Sequence, residues 1–459
     1  MLETSVAQNV LLKAISTGGD FAEIFLEDRM NHQVQIRSGK VDIVNSLRMH
    51  GAGIRVITGQ NAIYVYTNDT SCDGLLHCAE KAADAVRSNP VPEVSPLTYH
   101  ETHNIHPIRL YPDQVKARKK IDKLREAEKA ARSDAKIVQV IAGYQDSCQR
   151  VWIANTDGLL THDTRVYSRM NITSVASNGA ENQTGTESPG AMMGFEIFDE
   201  RIDPRQLGMN ATRIALHNLN AIVCPAGIMP VIIDNGFGGV IFHEACGHSL
   251  EATSVAFGAS EFTGRIGEKI ASECVTAIDD GTLPNEWGSI NVDDEGMPTG
   301  CLVLIEKGIL KNFMVDKLGG IRMNTPATGS SRRESYAFAP TSRMRNTFIA
   351  AGNDDEEEMI RTIGDGLYAK RMGGGSVNPA TGEFNFAVME GYLIRNGKIA
   401  DPVRGASLIG RGSEVLKRID RVGRNMQMSQ GMCGSLSGSV PTNVGQPMIR
   451  VDKLTVGGQ

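Results

Sequence analysis

No apolar run in this 459-residue chain approaches the length of a membrane-spanning helix. The N-terminus lacks the pattern of a secretory leader, because Asn9 and Lys13 interrupt the apolar residues around Leu11 and no basic region precedes them. A basic block is also missing. With a net charge of −6 and no clustered Lys and Arg to neutralise phosphates, nucleic acid is not expected as the main ligand. Eight cysteines, at 72, 78, 148, 224, 246, 274, 301 and 433, include no C-x-x-C pair, which suits reduced thiols better than a disulfide framework. These absences describe a soluble protein with no membrane role, whose expected location is the cytoplasm. They leave a cysteine available to hold metal.

The chain is too long for one small domain. Its pattern predicts an α+β protein. Residues 1–222 read as an N-terminal region of mixed helices and antiparallel strands, in two pieces joined by a Pro-rich connector at 88–112, and residues 223–459 as a C-terminal β-rich domain. In the first region, Ser5 is placed to cap a helix through Ile15. Strands follow around 20–28, at Val34 and Ile36, and at 53–57 and 62–66, then a helix at 72–86. His100, Glu101, His103 and His106 in the connector read as solvated loop side chains, because an extended segment spreads them apart. Beyond it, Asp113 is placed to cap a helix to Arg132 whose Lys116–Lys120 cluster faces solvent. Strand-like patches at 137–141 and 151–154 precede a helix from Pro204. In the second region, 301–305 with 310–315 and 386–394 with the Asn396-Gly397 turn read as hairpins. The acidic run at 353–358 opens a helix toward Arg371, and 413–422 reads as a short helix.

The chemistry concentrates in Val240-Ile-Phe-His-Glu-Ala-Cys-Gly-His-Ser-Leu-Glu251. Two imidazoles, His243 and His248, bracket a carboxylate, Glu244, that follows the first directly, the residue set a metal-dependent peptidase needs for ligation and base catalysis. In the common H-E-x-x-H helix the histidines share a face. Here five residues of regular helix would rotate the second about 140° away. The spacing therefore predicts a bulged helix, in which a π-type turn absorbs the extra residue and Gly247 tolerates the distortion. The plain alternative is an amphipathic helix with two satisfied histidines. Against it stand the flanks: 227–234 reads as a buried strand, and Asn235-Gly-Phe-Gly-Gly239 as a turn into a helix start.

A zinc site needs a third protein ligand, and two candidates suit it. Glu251 lies three residues beyond His248 and shares its face if helix resumes. Cys433, in the Gly-flanked loop Gln430-Gly-Met-Cys-Gly434, would supply a thiolate and leave a fourth position open for water. Spacing alone does not choose between them.

Segments 236–251, Val292-Asp-Asp-Glu-Gly-Met-Pro298, Ser331-Arg-Arg-Glu-Ser-Tyr336, Arg371-Met-Gly-Gly-Gly375, 386–391, Cys433-Gly434 and Gly445-Gln-Pro447 together resemble the TldD/PmbA metallopeptidases, specifically the TldD-like members that keep the metal motif. The resemblance covers nearly the whole chain. It implies that His243, His248 and Cys433 hold Zn²⁺ and that Glu244 is the catalytic glutamate, which leaves Glu251 beside a ligand. It also implies peptide substrates and a dimer, either a homodimer or a heterodimer with a motif-lacking family member, that encloses the site in a chamber. Ser435-Leu-Ser-Gly-Ser439 departs from the compact Gly-rich form of the family and puts that loop's substrate contacts in question. Arg333 or Tyr336 is placed as a donor to the oxyanion, with a structural ion-pair network as the plain alternative. Arg371 begins a glycine run where a peptide backbone can approach, and which reads first of all as a flexible turn.

The function this implies is zinc-dependent hydrolysis of short or unfolded peptides. The alternative is a regulatory or binding subunit of a proteolytic or gyrase-modulating complex without its own activity. A metal-dependent hydrolase acting on other bonds is a third.

Overall fold

The computed structural model describes residues 2–86, 93–378 and 381–458, and the fold is α+β. Its first half is built on one long hairpin. Phe21–Arg37 and Lys40–Thr58 run antiparallel for 17 and 19 residues, turning through Ser38 and Gly39 with φ of 47° and 83°, the paired positive values of a tight hairpin turn. Asn61–Thr67 extends the sheet on one side. Ile137–Asn155 pairs with Phe21–Arg37 on the other and with Leu159–Ser177 beyond it. The segments before and after the Pro-rich connector thus contribute to a single sheet.

Side chains alternate across a strand, and here the alternation separates two chemistries. Even-numbered positions such as Ile24, Ile54, Tyr144 and Ile172 are apolar and pack beneath helices. Thr4–Ala14 and Cys72–Asp84 cover one half through Leu11 and Leu75, and Ala117–Ala131 with Pro204–Asn220 cover the other through Leu124 and Ala211. Odd-numbered positions carry Glu23, Glu27, Arg55 and Arg165 and meet the second half of the chain. Arg55 bonds Glu23 at 2.9 Å and Glu295 at 2.5 Å, Arg333 bonds Glu23 at 2.8 Å, and Arg165 bonds Asp294 at 2.6 Å. All of these groups are buried. Removing one partner of such a pair would leave an unpaired buried charge, at a cost of about 3–5 kcal/mol.

The second half contains two sheets. Gly227–Ile233 lies in an eight-stranded one, between Gly366–Asn378 and Ile449–Gly457. The other runs Ile309–Leu310, Cys301–Glu306, Ala277–Asp280, Asn346–Ile349, Gly438–Gln446, Gln427–Ser435. The short helix Val240–Ala245 packs among them, with Val240, Ile241 and Phe242 in one core with Val231, Phe386 and Val444.

Several local expectations are corrected. Ser5 lies inside the helix Thr4–Ala14 rather than capping it, and Asp113 sits in the 3₁₀ turn Pro112–Gln114, ahead of a helix that starts at Ala117. Lys120 is buried against Asp146 at 2.6 Å, so the Lys116–Lys120 cluster is only partly a solvated face. In the connector, Thr98–Tyr99 adds a short parallel strand and His106 is buried, its Nδ1 accepting from the Asn285 backbone at 3.0 Å, whereas His100 and His103 are exposed. Pro90 and Pro92 lie outside the described residues. The acidic run does open a helix, capped by Asp355, but it stops at Thr362. Residues expected to continue it instead pair with Gly227–Ile233, since β-structure in a core overrides local helix preference. The glycines at 373–375 lie at register shifts of that strand, not in a turn. The second strand of the 301–315 hairpin is only Ile309–Leu310, and 413–422 divides into a helix Gly412–Arg418 and a strand Ile419–Val422.

Candidate metal centre

The extra residue between the histidines is absorbed by a break, not by a π-type turn. Val240–Ala245 is α-helical, Cys246 leaves helical geometry with φ −130° and ψ −44°, and Gly247–Leu250 continues as a 3₁₀ turn. The tighter turn has three residues per revolution, and together with the break it returns His248 to the side of His243, with ring centroids 5.2 Å apart and planes at 80°. Gly247 contributes differently than expected. A Cβ there would lie 2.3 Å from the Met344 sulfur, so its lack of a side chain admits Met344 instead of a strained backbone.

Cys433 arrives from the far end of the chain on a strand, not on a loop. Gln427–Ser435 pairs antiparallel with Gly438–Gln446, placing Cys433 opposite Val440. The segment that departs from the family's compact form is a tight hairpin turn through Leu436 and Ser437, completed by Gly438 with φ 83°. The hairpin seats the thiol between the imidazoles. Cys433 Sγ lies 3.2 Å from His243 Nε2 and 3.3 Å from His248 Nε2, and the three ligand atoms fall within 4.8 Å of one another.

This donor set fits a zinc ion. With Zn–N near 2.0–2.1 Å and Zn–S near 2.3 Å, a tetrahedral ion separates N and S ligands by about 3.6 Å, so expansion by a few tenths of an ångström admits the metal. Two imidazoles and one thiolate also leave one of four positions free. The electrostatics agree. Burial raises the Cys433 thiol, but the imidazoles of His243 and His248 outweigh it and bring the pKa down to about 3, so the ligand is a thiolate at neutral pH. Burial works against charge on His248, while Glu251 and the Cys433 sulfur raise its pKa well above the usual histidine range. By contrast, burial, with a smaller push from the Glu261 carboxylate, drives the Cys246 thiol upward, and that cysteine points into the core.

Glu251 meets the face of His248 turned away from the thiol, with Oε2 at 3.1 Å from Nδ1 and Oε1 accepting the Met344 backbone N–H at 3.2 Å. That arrangement fixes the His248 ring as it would have to stand to bind a metal. His243 differs: its Nδ1 is buried without a partner among the described residues. Glu244 stands at the open side, its side chain 31% exposed and its Oε2 3.7 Å from His248 Nε2.

The other singled-out residues stand in different contacts. Arg333 bonds Glu23, Tyr64 Oη and the Asp294 carbonyl, with its guanidinium 4.3 Å above the Phe25 ring. Tyr336 packs with Phe25, Val151 and Ile153, and its backbone N–H donates to Glu27 at 2.8 Å. Arg371 pairs with Glu187 at 2.7 Å. The sequence reading passed over Arg343, which is fully buried, donates to the Cys433 carbonyl, and reaches Ser437 Oγ and the Gly438 carbonyl at 2.9 and 2.8 Å. One side chain thereby grips both ends of the hairpin turn. No local pattern marks it, because its partners lie about ninety residues away.

Comparisons with known proteins cover the same ground. A model of the PmbA/TldA metallopeptidase C-terminal domain matches residues 226–458, the central domain residues 110–219 and domain 1 residues 22–86. A metalloprotease TldD homolog of Haemophilus influenzae is 35% identical over 451 residues, covering 96% of this chain and 93% of that protein. A zinc metalloprotease TldD homolog of Saccharolobus solfataricus is 28% identical over 459 residues, covering 97% and 98%. Among solved structures, a Thermotoga maritima protein described as a candidate modulator of a DNA gyrase superposes with a TM-score of 0.80, covering 99% of both chains at 19% identity. That last likeness establishes the shared fold.

Proposed function

Because the chain belongs to the PmbA/TldD metallopeptidase family, we propose that it is a zinc-dependent peptidase acting on short or unfolded peptides, with Glu244 as general base and acid. The observation that carries this reading is the convergence of His243, His248 and Cys433 beside an accessible Glu244. In this reading the three residues hold Zn²⁺. Once bound, the ion supplies Lewis-acid chemistry, polarising the scissile carbonyl and making its water more acidic. Glu244 takes the proton of the attacking water and returns it to the leaving amine, while Glu251 keeps the His248 ring oriented.

The strand carrying Cys433 is the last of its six-stranded sheet, and its outer edge has no strand partner among the described residues. An extended peptide can add there through main-chain hydrogen bonds, which supports selection by conformation over selection by sequence. We also propose a dimer, either two copies or this chain with a motif-lacking family member, that encloses the open side of Glu244 and admits only unfolded chains. The cytoplasm suits the free cysteines. The regulatory-subunit reading, including gyrase modulation, gives no reason for a base and three ligands to be kept together. In it the cluster would be idle.

The test compares wild type with Glu244→Gln in zinc-loaded protein on an unstructured peptide. Cleavage by wild type alone, with equal zinc content, supports the mechanism. Equal cleavage by both removes Glu244 from it, and absence of cleavage by a zinc-loaded dimer favours the regulatory reading.

A further inference from the structure

A cavity of about 370 Å³ lies between the odd-numbered face of the N-terminal sheet and the Cys433 hairpin. Asn31, Gln33, Gln145 and Ser147 form its floor, Tyr167 and Trp287 its aromatic wall, and Met432 and Ser439 its roof. Its charge is unbalanced. The lining carboxylates are all engaged: Asp146 by Lys120 and His32, Asp294 by Arg165 and the Arg333 backbone, and Glu334 by the Ser439 backbone N–H at 2.7 Å. Arg29 has Glu27 at 3.2 Å, and Arg165 and Arg333 have the buried acids described above.

Two guanidinium groups remain. Arg332, 4% exposed, makes a single hydrogen bond among the described residues, from Nη1 to the Met344 carbonyl at 2.9 Å. Arg169 donates Nη2 to Ser188 Oγ at 2.5 Å, stacks at 5.9 Å over Trp287, and buries Nε without a partner. Neither has a carboxylate in ion-pair contact among the described residues; burial weakens the charged form of both, and Asp294, which acts on Arg332 from a longer distance, is offset by Arg165 and Arg343. Uncompensated cations in a half-closed cavity are costly unless an anion completes them. Planar guanidinium forks match a carboxylate in geometry.

We propose that this cavity is a carboxylate-binding subsite for peptide substrates, in which Arg169 and Arg332 hold the carboxylate and Trp287 packs the adjoining residue. The inference rests on the peptidase reading and adds a substrate class to it. Strand alternation explains the placement. Met432 and Cys433 are neighbours whose side chains leave opposite faces of one strand, so the cavity lies behind the metal ligands, not among them. A peptide lying along the free edge of that strand directs alternate side chains to the two faces, one toward the metal centre and the other toward the arginines. Both a terminal α-carboxylate and an Asp or Glu side chain meet this requirement.

The experiment uses zinc-loaded Glu244→Gln protein, which keeps substrate uncleaved in this reading, and three otherwise identical unstructured heptapeptides: neutral with a free C-terminus, neutral with a C-terminal amide, and amidated with one central Glu. Affinity is measured by calorimetry. Because the chain has two tryptophans, Trp287 emission in a Trp152→Phe background reports occupancy independently. The expected result is binding of a carboxylate-bearing peptide about tenfold or more tighter than the neutral amide, the low end of a charge-assisted bond, with that advantage lost in Arg169→Gln and Arg332→Gln. An advantage confined to the free acid identifies a terminal carboxylate, and one confined to the Glu peptide a side chain. Equal affinity for all three peptides, or an advantage that survives both substitutions, overturns the proposal. If Arg332→Gln loses its thermal unfolding transition, acetate titration of Trp287 emission in wild-type and Arg169→Gln protein decides: a response lost in the variant supports the subsite, and no response in wild type overturns it. Carboxylate-dependent binding without cleavage by wild type would remove the peptidase reading and leave the subsite standing.

Discussion

Glu251 joins the two halves of the candidate metal centre: one oxygen sits 3.1 Å from His248 Nδ1, and the other accepts the backbone N–H of Met344 at 3.2 Å. The residue after Arg343 is thus tied to one ligand while Arg343 itself grips the hairpin of another. Replacing Glu251 by Gln should keep the fold and weaken zinc binding by about 10- to 100-fold, the usual consequence of losing a group that orients a ligating histidine. Competition with a chelator of known affinity measures this, and unchanged affinity would make Glu251 a packing residue only.

Zinc uptake should release about one proton near pH 7, and that proton should come from His248. Cys433 has a pKa of about 3 and is already a thiolate, whereas His248 is raised well above the usual range and holds a proton that ligation must displace. Calorimetry in buffers of different ionisation enthalpy counts the release. Two protons released would mean that the metal-free thiol is neutral.

The metal-free protein should lose stability on acidification, with Cys433 as one source. Its folded pKa lies below the ordinary thiol value of 9.0, so the stabilisation is fully present above that value and is lost as pH falls toward about 3. His248 acts in the opposite sense: with a raised folded pKa, its contribution is complete below about 6.5 and fades as pH rises through the folded value. Urea midpoints measured in chelator across this range should flatten on the acid side in Cys433→Ser.

Glu23 receives two buried arginines, Arg55 and Arg333, from different parts of the chain. Glu23→Ala leaves both cations short of a partner and should destabilise by about 3–5 kcal/mol, read from urea unfolding. A cost below about 1 kcal/mol would place the pairs among those that contribute little.

Gly239 faces the backbone of Gly445, where a Cβ would lie 2.5 Å from the carbonyl oxygen. Gly239→Ala should therefore push the His243 helix away from the strand paired with that of Cys433, at a cost of about 1–3 kcal/mol, together with weaker zinc binding. Thermal melts with and without zinc separate the two effects.

Much of the site was legible because its signals are local. His243, Glu244 and His248 are close in sequence, and the five-residue offset announced an irregular helix. Sequence did not reveal how the offset is resolved, since the break at Cys246 and the glycine at 247 answer to Met344, nearly a hundred residues away. Cys433 stood beside Glu251 as a candidate from its residue type, and resemblance chose between them; its strand looked like a loop because Gly431 and Gly434 flank it, but cross-strand pairing with Gly438–Gln446 outweighs the low strand preference of glycine. The long strands were underread for a related reason. Polar residues such as Glu23, Gln145 and Arg165 interrupt their apolar pattern, yet they face a buried ionic surface rather than solvent. The helix predicted to run toward Arg371 stops at Thr362, where the following residues pair with Gly227–Ile233 instead.

The 190 residues separating His243 from Cys433 also act as a clock during synthesis. At about 5–20 residues per second the thiol leaves the ribosome some ten to forty seconds after the imidazoles, and until then the ligand set is incomplete. A nascent chain is itself an unfolded peptide. On the peptidase reading, the order of the candidate ligands along the polypeptide would therefore delay assembly of the centre until most of the molecule vulnerable to it has been made and can fold.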